Sequence, residues 1–141
     1  MDTKILVPLD GSATSEKTIQ AIIASRNRFP RTLTLLHVVD IDKFAYRMIP
    51  DFQVEMIREN ARKAGEQLLQ KLQQPFTQAG VPCELRLEMG SPREVVTRIA
   101  NEEKFALIIL GRRRQGEIRD MLFGSVANYV LHHASCPVLL F

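Results

Sequence analysis

Cysteine is nearly absent from this 141-residue chain: Cys83 and Cys136 are the only two, far apart in sequence, with no histidine or second cysteine at metal-ligand spacing around either. Two reduced, buried thiols and no metal site are therefore expected. Long apolar runs are also missing. No stretch approaches the ~20 residues needed to cross a bilayer. The opening "MDTKILVPLD" enters a strand-like run without the charged, apolar and small-residue regions of a signal peptide. A cytoplasmic protein with no membrane partner is the expectation. Repeats, low-complexity tracts and linkers are lacking. Charge is nearly balanced as well, and a net charge of +3 suits an anionic partner without demanding one.

What is present suffices for one core. With 45% hydrophobic residues, a single domain spanning residues 1–141 is expected. "KILVPLD" is a short β-branched run, and "DGSATSEKTIQAIIASRN" follows with Ile19, Ile22 and Ile23 at helical spacing. "TLTLLHVVD" is apolar almost throughout from Leu33 to Val39, as suits a parallel strand covered on both faces, and ends at Asp40. "IDKFAYRMIPD" reads as loop. From Val54, the positions Ile57, Ala61, Ala64, Leu68, Leu72 and Phe76 step by three or four, predicting a long amphipathic helix that Pro75 should end or kink.

"VPCELRLEMG" alternates Cys83, Leu85 and Leu87 with Glu84, Arg86 and Glu88, which predicts a sheet-edge strand with one wet face. Ser91-Pro92-Arg93-Glu94 supplies a helix start, with Ser91 as N-cap, Pro92 at the first helical position and Glu94 closing a capping box; this helix should run to about Glu103. "FALIIL" is the most apolar strand and the expected centre of the sheet. An arginine-rich loop, a helix from about Ser125 and a terminal strand "CPVLLF" complete the chain. Four strand–helix alternations closed by a fifth strand predict a parallel, doubly wound sheet with helices on both faces. Ligands then sit beyond the carboxyl ends of the strands, where the strand order reverses. If the first and fourth strands flank that point, "VPLDGS" and "LGRRRQG" face each other across one crevice.

The chemistry open to these loops is limited. A helix opening at Ser125 offers free N–H groups and a positive dipole end, an anion site or simply a capped start. Asp10 can accept hydrogen bonds from hydroxyl or amino groups, or can serve as the turn residue of Asp10-Gly11. His37, His132 and His133 have no nucleophile motif or metal spacing, and the last two suit a helix C-terminus. Ser12 and Ser125 lie outside any Gly-x-Ser-x-Gly elbow, so no catalytic residue and no enzyme is expected. Arg112, Arg113, Arg114 and Arg119 make a cationic loop that could touch RNA phosphates. Without interleaved aromatic residues for base stacking, a solvated loop is the preferred reading and nucleic acid is not expected as a partner.

Taken in order, "KILVPLDGS", "LLHVVD", "GSPREVV", "ALIILGRRR" and "LFGSVANYVLHHASCPVLLF" resemble the universal stress protein family over essentially the whole chain. The resemblance implies a Rossmann-like, five-stranded fold of order 3-2-1-4-5, as in adenine nucleotide alpha hydrolases. It also implies a stress-response regulatory role and, in one subset, binding of ATP or AMP between strands 1 and 4. On this resemblance the candidate nucleotide contacts are Pro8, Leu9 and Asp10, Val38, Leu110, Gly111 and Arg112, and Gly124, Ser125 and Val126, with Arg114 and Gly116 as candidates in the loop where the chain departs from the family's motif. The ATP-binding subset carries Gly, two residues, Gly, nine residues, then Gly-Ser or Gly-Thr. Gly111 and Gly124-Ser125 match that pattern, but the middle position holds Arg114. An arginine there takes up space and restricts the backbone, whereas Gly116 could restore turn freedom and the arginines could offset phosphate charge. Two alternatives remain, a nucleotide hydrolase and a dimeric module that binds no nucleotide and whose arginine loop meets an anionic partner such as RNA. Finally, Pro137, Val138, Leu139, Leu140 and Phe141 form an uncharged terminal edge, which predicts a homodimer interface, as the resemblance also implies.

Overall fold

The computed structural model describes residues 4–29, 32–40, 50–112 and 125–141. Five strands form: β1 (Ile5–Pro8), β2 (Leu33–Val39), β3 (Cys83–Met89), β4 (Leu107–Leu110) and β5 (Val138–Leu140). All neighbours are parallel, in the order β3-β2-β1-β4-β5. This is the expected doubly wound α/β sheet. The α-helices among the described residues are α1 (Ala13–Ala24), α2 (Asp51–Gln78), α3 (Pro92–Glu102) and α4 (Ser125–His133).

The period of two along each strand divides the core in two. Ile5, Val7, Leu33, Leu35 and Ile109 face α1 and α2, where they meet Ile19, Ile22, Leu69, Leu72 and Phe76. Leu6, Leu36, Val38, Ile108 and Leu110 face α3 and α4, where they meet Val95, Val96, Ile99, Ala127 and Val130. Continuous apolar strands are required because both faces are covered.

Several expectations are corrected. The middle strand is β1, and the strand within "FALIIL" lies beside it; any interior strand needs two apolar faces, so apolarity does not rank strands by position. Helix α2 starts at Asp51 and runs three residues beyond Pro75. Full burial of Phe76 and the bond from Ala79 N–H to Pro75 O (3.1 Å) hold that last turn. They offset the ~3 kcal/mol that proline costs inside a helix. The buried stripe of α2 is Gly65, Leu69, Leu72 and Phe76, while Ala64 is exposed. Ser91 precedes α3 but makes no side-chain cap bond, so the capping box does not form. Of the loop assigned to residues 41–51, Asp51 is helical and residues 41–49 lie outside the described residues.

Strand β3 is an edge, as expected. Its charged face is tied down by Lys4 Nζ to Glu84 (2.9 Å) and Arg86 to Glu103 (2.6 Å), although Leu85 remains 37% exposed. Cys83 and Cys136 are free and half-buried; burial pushes the Cys83 thiol up to about 11 and raises that of Cys136. Among the described residues, no helix is long and apolar enough to cross a membrane.

Candidate functional site

The carboxyl ends of β1 and β4 meet at the reversal of strand order, and the local sequence there builds a rigid turn. Leu9 N–H donates to Leu36 O (2.8 Å), carrying the ladder one residue past β1. Asp10 Oδ1 then accepts from Ser12 N–H (2.8 Å) and Ser15 Oγ (2.9 Å), an aspartate turn of the kind that starts helices. Ser12 Oγ in turn caps α1 by accepting from Ser15 N–H (3.3 Å). Asp10 Oδ1 thus builds the turn, and the carboxylate lines the crevice beside it.

Partial burial raises the Asp10 pKa, but hydrogen bonds from Ser12 and Ser15 and the nearby His37 outweigh it, and the net shift is downward. The carboxylate is thus held ionised. On the opposite strand, Gly111 lets the end of β4 press onto α1. A Cβ there would stand 2.2 Å from Thr18 Oγ1 and 3.2 Å from Thr14 O. The third wall is the start of α4, which is docked on α3. Arg93 lies over the Tyr129 ring (5.5 Å), and Asn101 bonds His133 O (3.1 Å) and Ser135 N–H (2.8 Å).

These walls enclose an open cavity of about 480 Å³, within the ~300–1,000 Å³ of typical small-molecule sites. Of the residues expected at a nucleotide site, Pro8, Leu9, Asp10, Val38, Leu110, Gly111, Ser125 and Val126 line it together. Arg112 does not. Its N–H donates to Phe141 O (3.0 Å), so the backbone at Arg112 extends the β4–β5 ladder. Arg114, Gly116 and Gly124 lie outside the described residues, as do Arg113 and Arg119. Sequence reasoning missed the hydroxyl wall of Ser12, Thr14, Ser15 and Thr18, together with Leu36, Pro92, Val96 and Ala127. The signal available was the hydroxyl-rich run "GSATSEKT" opening an otherwise apolar helix.

The histidines take separate places. His37 Nδ1 lies 2.9 Å from Leu9 O, while His132 and His133 sit in the last turn of α4, with His133 4.2 Å from the Tyr129 ring. Among the described residues, no cluster of three or more His, Cys, Asp or Glu could hold a metal ion. At the C-terminus, Val138 and Leu140 pack toward α3 and α4, whereas Leu139 and Phe141 pack toward α1 and α2. Phe141 meets Phe29 edge-on at 6.4 Å.

The same architecture occurs in proteins of known family. Universal stress protein Sll1388 of Synechocystis is 29% identical over 97% of this chain and 96% of its own length. The structure of universal stress protein UspA from Lactobacillus plantarum superposes with a TM-score of 0.77 at 25% identity, covering 99% of this chain and 97% of that one. An Arabidopsis thaliana universal stress family protein with AMP bound shares the fold, with a TM-score of 0.69 at 20% identity over 99% of this chain and 90% of its own. The sequence pattern of the universal stress protein family matches residues 1–141. This chain belongs to the universal stress protein family.

Proposed function

We propose that the chain is a cytoplasmic regulatory protein of the stress response that binds an adenine nucleotide, ATP or AMP, in the β1–β4 crevice and works as a homodimer. The observation that carries this reading is the cavity at the strand reversal, which joins the ionised carboxylate of Asp10 to the N-terminus of α4. The Asp10 carboxylate suits ribose hydroxyls or an adenine amino group, the N–H groups at the start of α4 suit a phosphate, and Leu36, Val38 and Val96 suit a flat apolar base. The AMP-bound relative from Arabidopsis supports the ligand class.

Binding without turnover is the favoured chemistry. Asp10 is the one titratable side chain lining the cavity among the described residues. Its lowered pKa makes it a poor general base at neutral pH.

The test is mass spectrometry of small molecules released from freshly purified protein, followed by calorimetric titration with ATP and AMP. Stoichiometric uptake that Asp10→Ala weakens supports the reading. No uptake by the wild type or by Arg114→Gly overturns it, and turnover abolished by Asp10→Ala would show a hydrolase instead.

A further inference from the structure

We propose that His37 is a positioning residue that fixes the direction in which Asp10 is presented to the crevice. This rests on the nucleotide reading above for its consequence, but not for its geometry. The Leu9–Asp10 peptide unit is held at both ends. Its carbonyl, Leu9 O, lies 2.9 Å from His37 Nδ1, and its N–H, on Asp10, donates to Ser15 Oγ at 2.8 Å. A carbonyl can only accept, so His37 must carry its proton on Nδ1. Rotation of this peptide would swing Asp10 Cα and its carboxylate together, because a planar peptide moves as one body.

His37 works from behind. It projects from β2 on the α2 side of the sheet, opposite Leu36 and Val38, which line the cavity. Helix α2 passes beside the ring at Gly65, where a Cβ would crowd Leu87 Cδ1 (2.8 Å) and Val39 Cγ2 (3.0 Å) and would stand in ordinary contact with His37 Cδ2 (3.5 Å). Both bonds are half-buried, and a partner orphaned there would carry a desolvation cost.

The experiment compares full-length wild type, His37→Leu and His37→Asn, the last because the asparagine Nδ2 can donate from nearly the same place as imidazole Nδ1. Long-range proton–nitrogen NMR of the wild type should find neutral His37 protonated on Nδ1; protonation on Nε2 would overturn the proposal. In calorimetric titration, His37→Leu should bind AMP about tenfold more weakly, the worth of one hydrogen bond, and His37→Asn should recover to within about threefold. A folded His37→Leu that binds like the wild type, or an asparagine that rescues nothing, refutes the positioning role. If the wild type takes up no AMP, the nucleotide reading fails by itself. The Asp10 carboxyl carbon resonance then decides: it should move in His37→Leu and stay in place in His37→Asn, and the reverse or no movement refutes the role. Should His37→Leu not fold, the tautomer of the wild type and the Asp10 resonance in His37→Asn carry the same decision.

Discussion

Gly111 and Thr18 approach so closely that any β-carbon at position 111 would stand 2.2 Å from the Thr18 hydroxyl oxygen. Thr18 cannot simply rotate away, since its hydroxyl donates to Thr14 O at 2.8 Å and Thr14 also crowds the same space. The glycine is therefore required by the packing of β4 against α1, with or without a ligand. Gly111→Ala should destabilise the protein by roughly 1–3 kcal/mol, the usual cost of overpacking. That lowers Tm by several degrees in a thermal melt, even in the absence of nucleotide. An unchanged Tm would mean that the two segments separate freely.

Asp10 should make folding sensitive to acid. Its folded pKa lies below the ordinary 3.8, so the folded state binds this proton less tightly than the unfolded chain does. The stabilisation is fully present above 3.8 and is lost as pH falls below it, through the depressed folded value. Urea unfolding between pH 5 and 2.5 should show a loss of stability in the wild type that is smaller in Asp10→Asn. Parallel curves for the two proteins would remove the turn's charge from the account.

Where the physics is local, the sequence was readable. The bounds of β2 follow from a nearly all-apolar run, and the Asp10 turn follows from an aspartate placed two residues before a serine cap. Where the deciding partner is remote, it was not. Nothing near Gly111 announces Thr14 and Thr18, and nothing near His37 announces Leu9 O, 28 residues away. Nothing near Arg112 announces that its backbone N–H bonds Phe141 O, at the far end of the chain. Pro75 shows the same limit, because its local tendency to break the helix yields to the burial of Phe76. The middle position of the glycine motif falls on Arg114, outside the described residues, so the nucleotide reading rests on the described residues that line the cavity.

Cys83 should be chemically inert at neutral pH. Burial raises its thiol from 9.0 to about 11, which lowers the thiolate fraction about a hundredfold at pH 8. In a Cys136→Ser background, iodoacetamide should label Cys83 far more slowly in the folded protein than in urea. Because the folded state holds this proton more tightly, the thiol's contribution to stability should be constant below pH 9.0 and be lost as pH rises from there toward about 11. Labelling as fast as that of an unfolded thiol would contradict the burial.

The outer side of β5 has no partner strand among the described residues, and its backbone leaves specific groups pointing outward. Ile108 N–H donates to Pro137 O (3.0 Å), Phe141 N–H to Leu110 O (2.9 Å) and Arg112 N–H to Phe141 O (3.0 Å). Residues 137, 139 and 141 therefore face β4. By the alternation of a parallel ladder, Val138 and Leu140 direct their N–H and C=O groups away from it. A second copy pairing there around a two-fold axis would satisfy those groups and cover the half-exposed apolar run. Deleting the strand is a poor test, since Phe141 packs on Phe29 and Leu139 on the same core. Leu140→Pro is sharper, because it removes one outward donor and leaves the inner bonds at 137 and 141 in place, as an edge strand tolerates. Wild type should sediment at the dimer mass at micromolar concentration, and Leu140→Pro, with helical circular dichroism retained, at the monomer mass. A monomeric wild type, or a folded Leu140→Pro that remains dimeric, rules this edge out as the interface.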